Sequence, residues 1–284
     1  MIVLQISSAQ AAPHDLAGWA TRFDHRQLPV LGHTVQALDE LRLVEDEVDA
    51  HLLSDTVASD PLMTLKLLAH VAHLRRGREV GEVETVTEAL VMLGIPPFFR
   101  AFANLRSVED LLEFQPTARC GFFDVLHRSR RAARFAMGFA VHRMDHDAAV
   151  IYEAALLHDF AEMLLWLQAP GLAAEIKHRQ QRDPQLRSAT VQREVLNVDL
   201  AELQHRLMLS WHLPSLMVQI SDDHAPQQTA QLRNVQLAIR VARHSAAGWD
   251  NAALPDDIRD IADLLRLSLE PTARLLRDID SDEA

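Results

Sequence analysis

A histidine and an aspartate stand side by side in an apolar stretch, Leu156-Leu-His158-Asp159-Phe-Ala. Burying two such polar side chains in a helical run is costly unless other groups satisfy them. Imidazole and carboxylate are both suitable ligands for divalent transition metals. A metal site is therefore one interpretation of the pair. A polar cluster that is hydrogen-bonded within a helical core is the other.

The elements that must position this pair are helices. Apolar residues recur at three- and four-residue spacing along most of the chain, and strand-like alternation is nearly absent, so the sequence predicts an all-α protein. Asp60-Pro61 is a helix start, because an aspartate can cap the helix and proline suits its first position. A short helix is expected between Thr85 and Gly94, and a long one beginning near Phe122. A C-terminal helix pair should start at Leu254.

The composition indicates a globular protein with a sizeable core, since 48% of its 284 residues are hydrophobic. We expect the following residues in that core: Leu65, Leu68, Leu90, Leu93, Leu156, Leu157, Leu164 and Trp211. The single cysteine, Cys120, is expected to be a small buried side chain in a reducing compartment. No signal peptide and no apolar run of membrane-spanning length is recognisable, which predicts a cytoplasmic protein that does not enter a membrane.

The formal net charge of -12 disfavours nucleic acid as a partner, because lysine and arginine contacts to phosphate supply most non-specific affinity. The run His127-Arg-Ser-Arg-Arg-Ala-Ala-Arg is a local exception. Its four arginines, Arg128, Arg130, Arg131 and Arg134, are either a solvated helix face or a site for an anionic ligand or partner.

Several motifs occur in an order that is more specific than any one of them. Asp60-Pro61 is followed by Lys66-Leu-Leu, then by Leu93-Gly94, His158-Asp159 and Trp211-His-Leu-Pro. Over roughly residues 24–225 this series resembles the HDOD family, a relative of the HD-domain phosphohydrolases. The resemblance implies an all-α multi-helix bundle, HD-domain-like, with an additional N-terminal helical subdomain. It also implies a role in bacterial signalling and regulation, usually without catalysis.

The resemblance also divides the chain. Residues 1–23 would be an N-terminal extension. Residues 24–225 would be the HDOD-like domain, with an N-terminal helical half (24–113) and a degenerate HD half (114–225). Residues 226–284 would form C-terminal helices that pack on the HD half.

The resemblance to HD phosphohydrolases implies a set of metal ligands, of which one position is changed. The first histidine corresponds to His127 and the pair to His158 and Asp159, but the position of the later aspartate holds Ile239. His224 could supply a fourth ligand to a zinc, manganese, iron or magnesium ion. Some catalytic relatives have the motif His-Asp-x-Gly-Lys. In this chain the last two positions of the motif hold Ala161 and Glu162, so a residue of opposite charge replaces the lysine.

We therefore expect a non-catalytic regulatory module that acts by binding a protein partner, by self-association or by binding a small ligand. The first alternative is a metal-dependent phosphohydrolase or phosphodiesterase acting on a nucleotide. The second is a receptor that senses an anionic nucleotide. Without a metal, His158 and Asp159 should pair with nearby polar groups, and His127 is the expected partner.

Overall fold

The computed structural model describes residues 12–76, 82–183, 186–220 and 229–281 of the chain. Within them lie seventeen α-helices: α1 (Leu16–Arg22), α2 (Gly32–Arg42), α3 (Ala50–Ala58), α4 (Pro61–Arg75), α5 (Val86–Leu93), α6 (Ile95–Ala101), α7 (Val108–Leu111), α8 (Pro116–Arg143), α9 (Ala148–Leu156), α10 (Phe160–Gln168), α11 (Pro170–Arg182), α12 (Ser188–Leu196), α13 (Leu200–Trp211), α14 (Ser215–Ile220), α15 (Ala230–His244), α16 (Leu254–Leu265) and α17 (Leu269–Ser281). These residues form no sheet, and their one isolated β-bridge joins Val30 to Ser107. The predicted all-α class is confirmed.

The N-terminal half is organised around α4, which is buried along most of its length. Asp60 caps this helix by accepting hydrogen bonds from the backbone N–H groups of Leu62 and Met63, and its other oxygen accepts one from Leu31 at 2.7 Å. Lys66 donates to the backbone carbonyls of Arg26 and Leu28 at 2.8 and 2.9 Å. The Asp-Pro and Lys motifs therefore fasten the segment before α2 to α4.

The second half is built around α8, against which α9, α10, α11, α15 and α17 pack. This helix begins at Pro116, earlier than the predicted start near Phe122, because proline is well suited to the first helical position. The predicted C-terminal helix pair is present as α16 and α17. No helix in the described parts of the chain has the length and hydropathy to span a membrane. The four-part division of the chain stays a prediction.

The predicted core residues are buried with one exception. Leu93 is only partly buried, because it is the last residue of α5 and the chain turns away at Gly94, whose φ is +82°. The predicted burial of Cys120 is wrong, since its side chain on α8 is exposed, and the reducing compartment stays a prediction.

Glu153 on α9 connects the two halves. Its carboxylate, almost fully buried, accepts the backbone N–H of Val86 at 2.9 and 3.2 Å, at the start of α5. Burial raises the pKa of Glu153 to about 8, although the Val86 hydrogen bond opposes this shift. Arg130 adds a second connection by donating to the carbonyl of Ser59 at 3.2 Å.

The raised pKa of Glu153 predicts a pH-dependent stability. A group whose folded pKa is raised stabilises the fold below its unfolded pKa and loses that contribution as pH rises through the folded value. The side chain of a Glu153→Gln variant does not ionise. Relative to the unmodified protein, this variant should therefore become more stable as the pH rises from about 4.5 to about 8, by roughly 1 kcal/mol per pH unit. Denaturant unfolding at several pH values would measure this. Glu270→Gln at an exposed position is the control, and an equal trend in both variants would contradict the assignment.

Close packing of α8 on α10 depends on a glycine. A Cβ atom at Gly121 would lie 2.3 Å from the ring of Trp166. Gly121→Ala should therefore destabilise the protein by about 1–3 kcal/mol. In Gly171→Ala the new methyl group meets no atom within 4 Å, so that variant should be neutral or up to ~1 kcal/mol more stable. Thermal unfolding of the two variants tests whether a loss of stability in Gly121→Ala comes from its contact with Trp166 or from the removal of a glycine as such.

Candidate functional site

His158 and Asp159 lie at the corner between α9 and α10, in the three-residue turn 157–159. The sequence predicted that the pair lies within a helical run. The structure corrects this prediction, because the pair lies in a turn between two helices. Helix α10 begins at the next residue, and the Asp159 carbonyl accepts the backbone N–H groups of Glu162 and Met163 at 3.1 and 3.2 Å. The pair is thus held at the positive end of a helix dipole.

The partner of the Asp159 carboxylate is an arginine. Arg128 on α8 donates from Nε to Oδ2 of Asp159 at 2.8 Å and from Nη2 to Oε2 of Glu162 at 2.6 Å. The other oxygen of Asp159 is 3.0 Å from Nδ1 of His158 and 3.6 Å from the guanidinium of Arg243. We expected His127 in this role. It is Arg128 that contacts the carboxylate, because successive side chains on a helix point about 100° apart.

These contacts keep Asp159 ionised. Its side chain is only 12% exposed, and burial alone would raise its pKa. The Arg128 charge and the His158 hydrogen bond outweigh burial and hold the pKa of Asp159 well below its usual range. Because an ionised carboxylate only accepts hydrogen bonds, Nδ1 of His158 must be the donor, which leaves its Nε2 as an acceptor when the ring is neutral.

The corner opens into a cavity of about 1050 Å³. Among the residues predicted as site residues, His127, Arg128, Arg131, His158 and Asp159 line it. Arg131 reaches across to Asp280 on α17, with two hydrogen bonds of 2.7 and 2.9 Å.

The basic run therefore does not form a single cluster. Arg128 and Arg131 lie in the cavity lining, whereas Arg130 and Arg134 do not. Arg130 instead contacts the N-terminal half through Ser59.

The described residues do not fit a divalent ion. A guanidinium occupies one oxygen of Asp159, and Ile239, which is buried on α15, offers no carboxylate. No cluster of three or more histidine, cysteine, aspartate or glutamate side chains suited to a metal occurs in the described ranges. His224 lies outside the described residues, so the four-residue set with His127, His158 and Asp159 stays a prediction.

Three residues of the site were not predicted as such. The sequence marked Glu162 only because it replaces the lysine of the catalytic motif. In the structure it is the second hydrogen-bond partner of Arg128. Arg243 lies one turn after Ile239 on α15, so the helix face that was expected to supply an aspartate supplies a cation instead. Gln204 on α13 accepts the backbone N–H of Ala161 at 3.4 Å, and nothing in the sequence marked it.

The fold and this corner define a helical domain of the HD type in which an arginine contacts the aspartate of the His-Asp pair. The chain belongs to the HDOD family, whose domain model matches residues 28–226.

Two of the solved structures that share the fold serve as comparisons. The MmoQ response regulator from Methylococcus capsulatus is 20% identical, with 88% of this chain and 98% of that chain covered and a TM-score of 0.65. A virulence factor from Campylobacter jejuni is 16% identical, with coverages of 95% and 98% and a TM-score of 0.67. No functionally curated protein matches the chain.

Breaking the Arg128–Asp159 pair should destabilise the protein. Asp159→Ala should cost roughly 2–3 kcal/mol, because Arg128 then keeps only the half-exposed Glu162 as a partner. Arg128→Ala should cost a similar amount, and the double variant should cost clearly less than the sum. Denaturant unfolding measures all three. Arg259→Ala is the matched control, since its ion pair with Asp256 is exposed and should be worth below ~1 kcal/mol.

A chelator distinguishes an ion pair from a metal. EDTA should leave the melting temperature of the unmodified protein unchanged, because a structural metal would contribute folding energy that a chelator removes. A large drop would show instead that an ion holds the corner together.

Proposed function

We propose that this protein is a non-catalytic signalling or regulatory module that acts by binding a protein partner, a second copy of itself or a small ligand. The observation that carries the proposal is the guanidinium of Arg128, which is hydrogen-bonded to both Asp159 and Glu162. Positive charge at the His-Asp corner thus comes from the chain itself.

An internal arginine cannot replace a metal in hydrolysis. A catalytic metal polarises the substrate and generates hydroxide at an open coordination position. A guanidinium has no acceptor orbital for water and stays protonated in proteins. The buried Ile239 and the Arg128–Glu162 pair further support a site without hydrolytic chemistry.

Membership of the HDOD family and the name of one relative agree with a regulatory role. The Methylococcus capsulatus protein that shares the fold is called a response regulator. With an acidic chain of net charge -12, a protein or small-molecule partner is favoured over nucleic acid.

The first alternative, a metal-dependent phosphohydrolase, makes a different prediction. We expect no turnover of cyclic dinucleotides or nucleoside phosphates when manganese, zinc or magnesium is added. Turnover by the unmodified protein that disappears in both His158→Ala and Asp159→Ala would contradict the proposal. The variants should be compared at a temperature where each is folded, so that loss of activity does not simply report unfolding.

The second alternative, a receptor for an anionic nucleotide, is a special case of a binding module. The cavity at the corner favours it, because its volume of about 1050 Å³ is in the range of small-molecule sites.

A further inference from the structure

Among the described lysine and arginine side chains that line the cavity, all but one donate a hydrogen bond to a carboxylate. Arg128 pairs with Asp159, and Arg131 with Asp280. Two further pairs are formed by Lys177 with Asp124 and by Arg193 with Asp199. Each of these four cations donates a hydrogen bond to its carboxylate.

Arg243 is the exception among the described cations of the lining. Its nearest carboxylate oxygen, on Asp159, is 3.6 Å away, and its guanidinium donates no hydrogen bond to any described residue. Asp159 is already committed to Arg128 and His158 at hydrogen-bond distance. The side chain of Arg243 is 55% exposed, so its donors are available to a molecule in the cavity.

Gln204 supplies a second donor. Only 5% of this residue is exposed, and it lines the same cavity. Its Oε1 accepts the N–H of Ala161, which fixes the orientation of the amide. The amide nitrogen has no hydrogen-bond partner among the described residues. This donor is available to an acceptor on a molecule that enters the cavity.

The rest of the lining suits an organic body. The exposed residues Ala201, Ala246 and Ala247 contribute apolar surface to the wall, and Leu165, Trp166 and Ile176, which also line it, are buried. The N-terminus of the nine-residue helix α10 lies at the same corner and favours negative charge there.

We propose that this cavity binds a small molecule in which an anionic phosphate or carboxylate group is attached to a ring. Arg243 anchors the anionic group, the amide nitrogen of Gln204 donates to it, and the ring lies against the apolar wall. This inference rests on the proposed function, because it names the ligand class of a non-catalytic binding module.

Three matched probes test the ligand class by calorimetric titration: adenosine monophosphate, adenosine-5′-carboxylate and uncharged adenosine. At least one anionic probe should bind the unmodified protein at least about tenfold more tightly than adenosine does, as expected for a charge-assisted hydrogen bond. The stronger of the two anionic probes identifies phosphate or carboxylate as the group recognised. Equal binding of all three probes, or of none in the millimolar range, would overturn the proposal and leave the absence of hydrolysis untouched.

Two variants test the residues. Arg243→Gln should weaken binding of the anionic probe about tenfold, whereas Arg259→Gln, which removes the same charge from an exposed position outside the cavity, should not. Gln204→Glu keeps an acceptor for Ala161 but replaces the donor by an oxygen, so it should weaken anion binding without affecting adenosine. Melting temperatures confirm that each variant is folded. Unchanged affinity in folded Arg243→Gln would refute the assignment.

Discussion

The ion pair between Arg128 and Asp159 is the constraint around which the HD half is arranged. Asp159 ends the turn between α9 and α10 and is almost buried, so the corner can exist only if a cation compensates its charge. Arg128 comes from the long helix α8, against which both of these helices pack. One interaction therefore fixes the turn, the start of α10 and the position of α10 on α8.

Buried titratable side chains also join other segments of the chain. Asp60, Lys66 and Glu153 are all buried, and each is hydrogen-bonded to backbone groups of another segment. Burial raises the pKa of Asp60 and lowers that of Lys66 to about 8, which is a cost that the backbone hydrogen bonds offset. The Asp60-Pro61 and Lys66 motifs of the sequence therefore also serve to join segments. Their residue types are required because only charged or polar side chains can satisfy these backbone groups.

The sequence predicted the helices well and the site only in part. Helical spacing, the Asp60 cap and Gly94 are local signals, and the corresponding helix starts and ends lie where these signals indicated. The partner of Asp159 was misassigned because the choice between His127 and Arg128 depends on the rotation of α8 relative to α10. No local pattern encodes that rotation. Gln204 and Arg243 lie 43 and 84 positions from the residues they approach, so only tertiary packing reveals them.

The exchange of a metal for an arginine changes what the corner can do. A divalent ion would draw ligands from several helices and keep a position open for water, whereas the Arg128 guanidinium donates hydrogen bonds to Asp159 and Glu162 and offers no coordination position. The cavity beside the corner has donors on Arg243 and Gln204 that bind no carboxylate at hydrogen-bond distance among the described residues. Because the Arg243 side chain is 55% exposed, water can reach its donors, and a ligand that binds there must replace that water. Under the proposed function, the Arg128–Asp159 pair therefore contributes a fixed wall to a binding site, and Arg243 contributes a charged anchor.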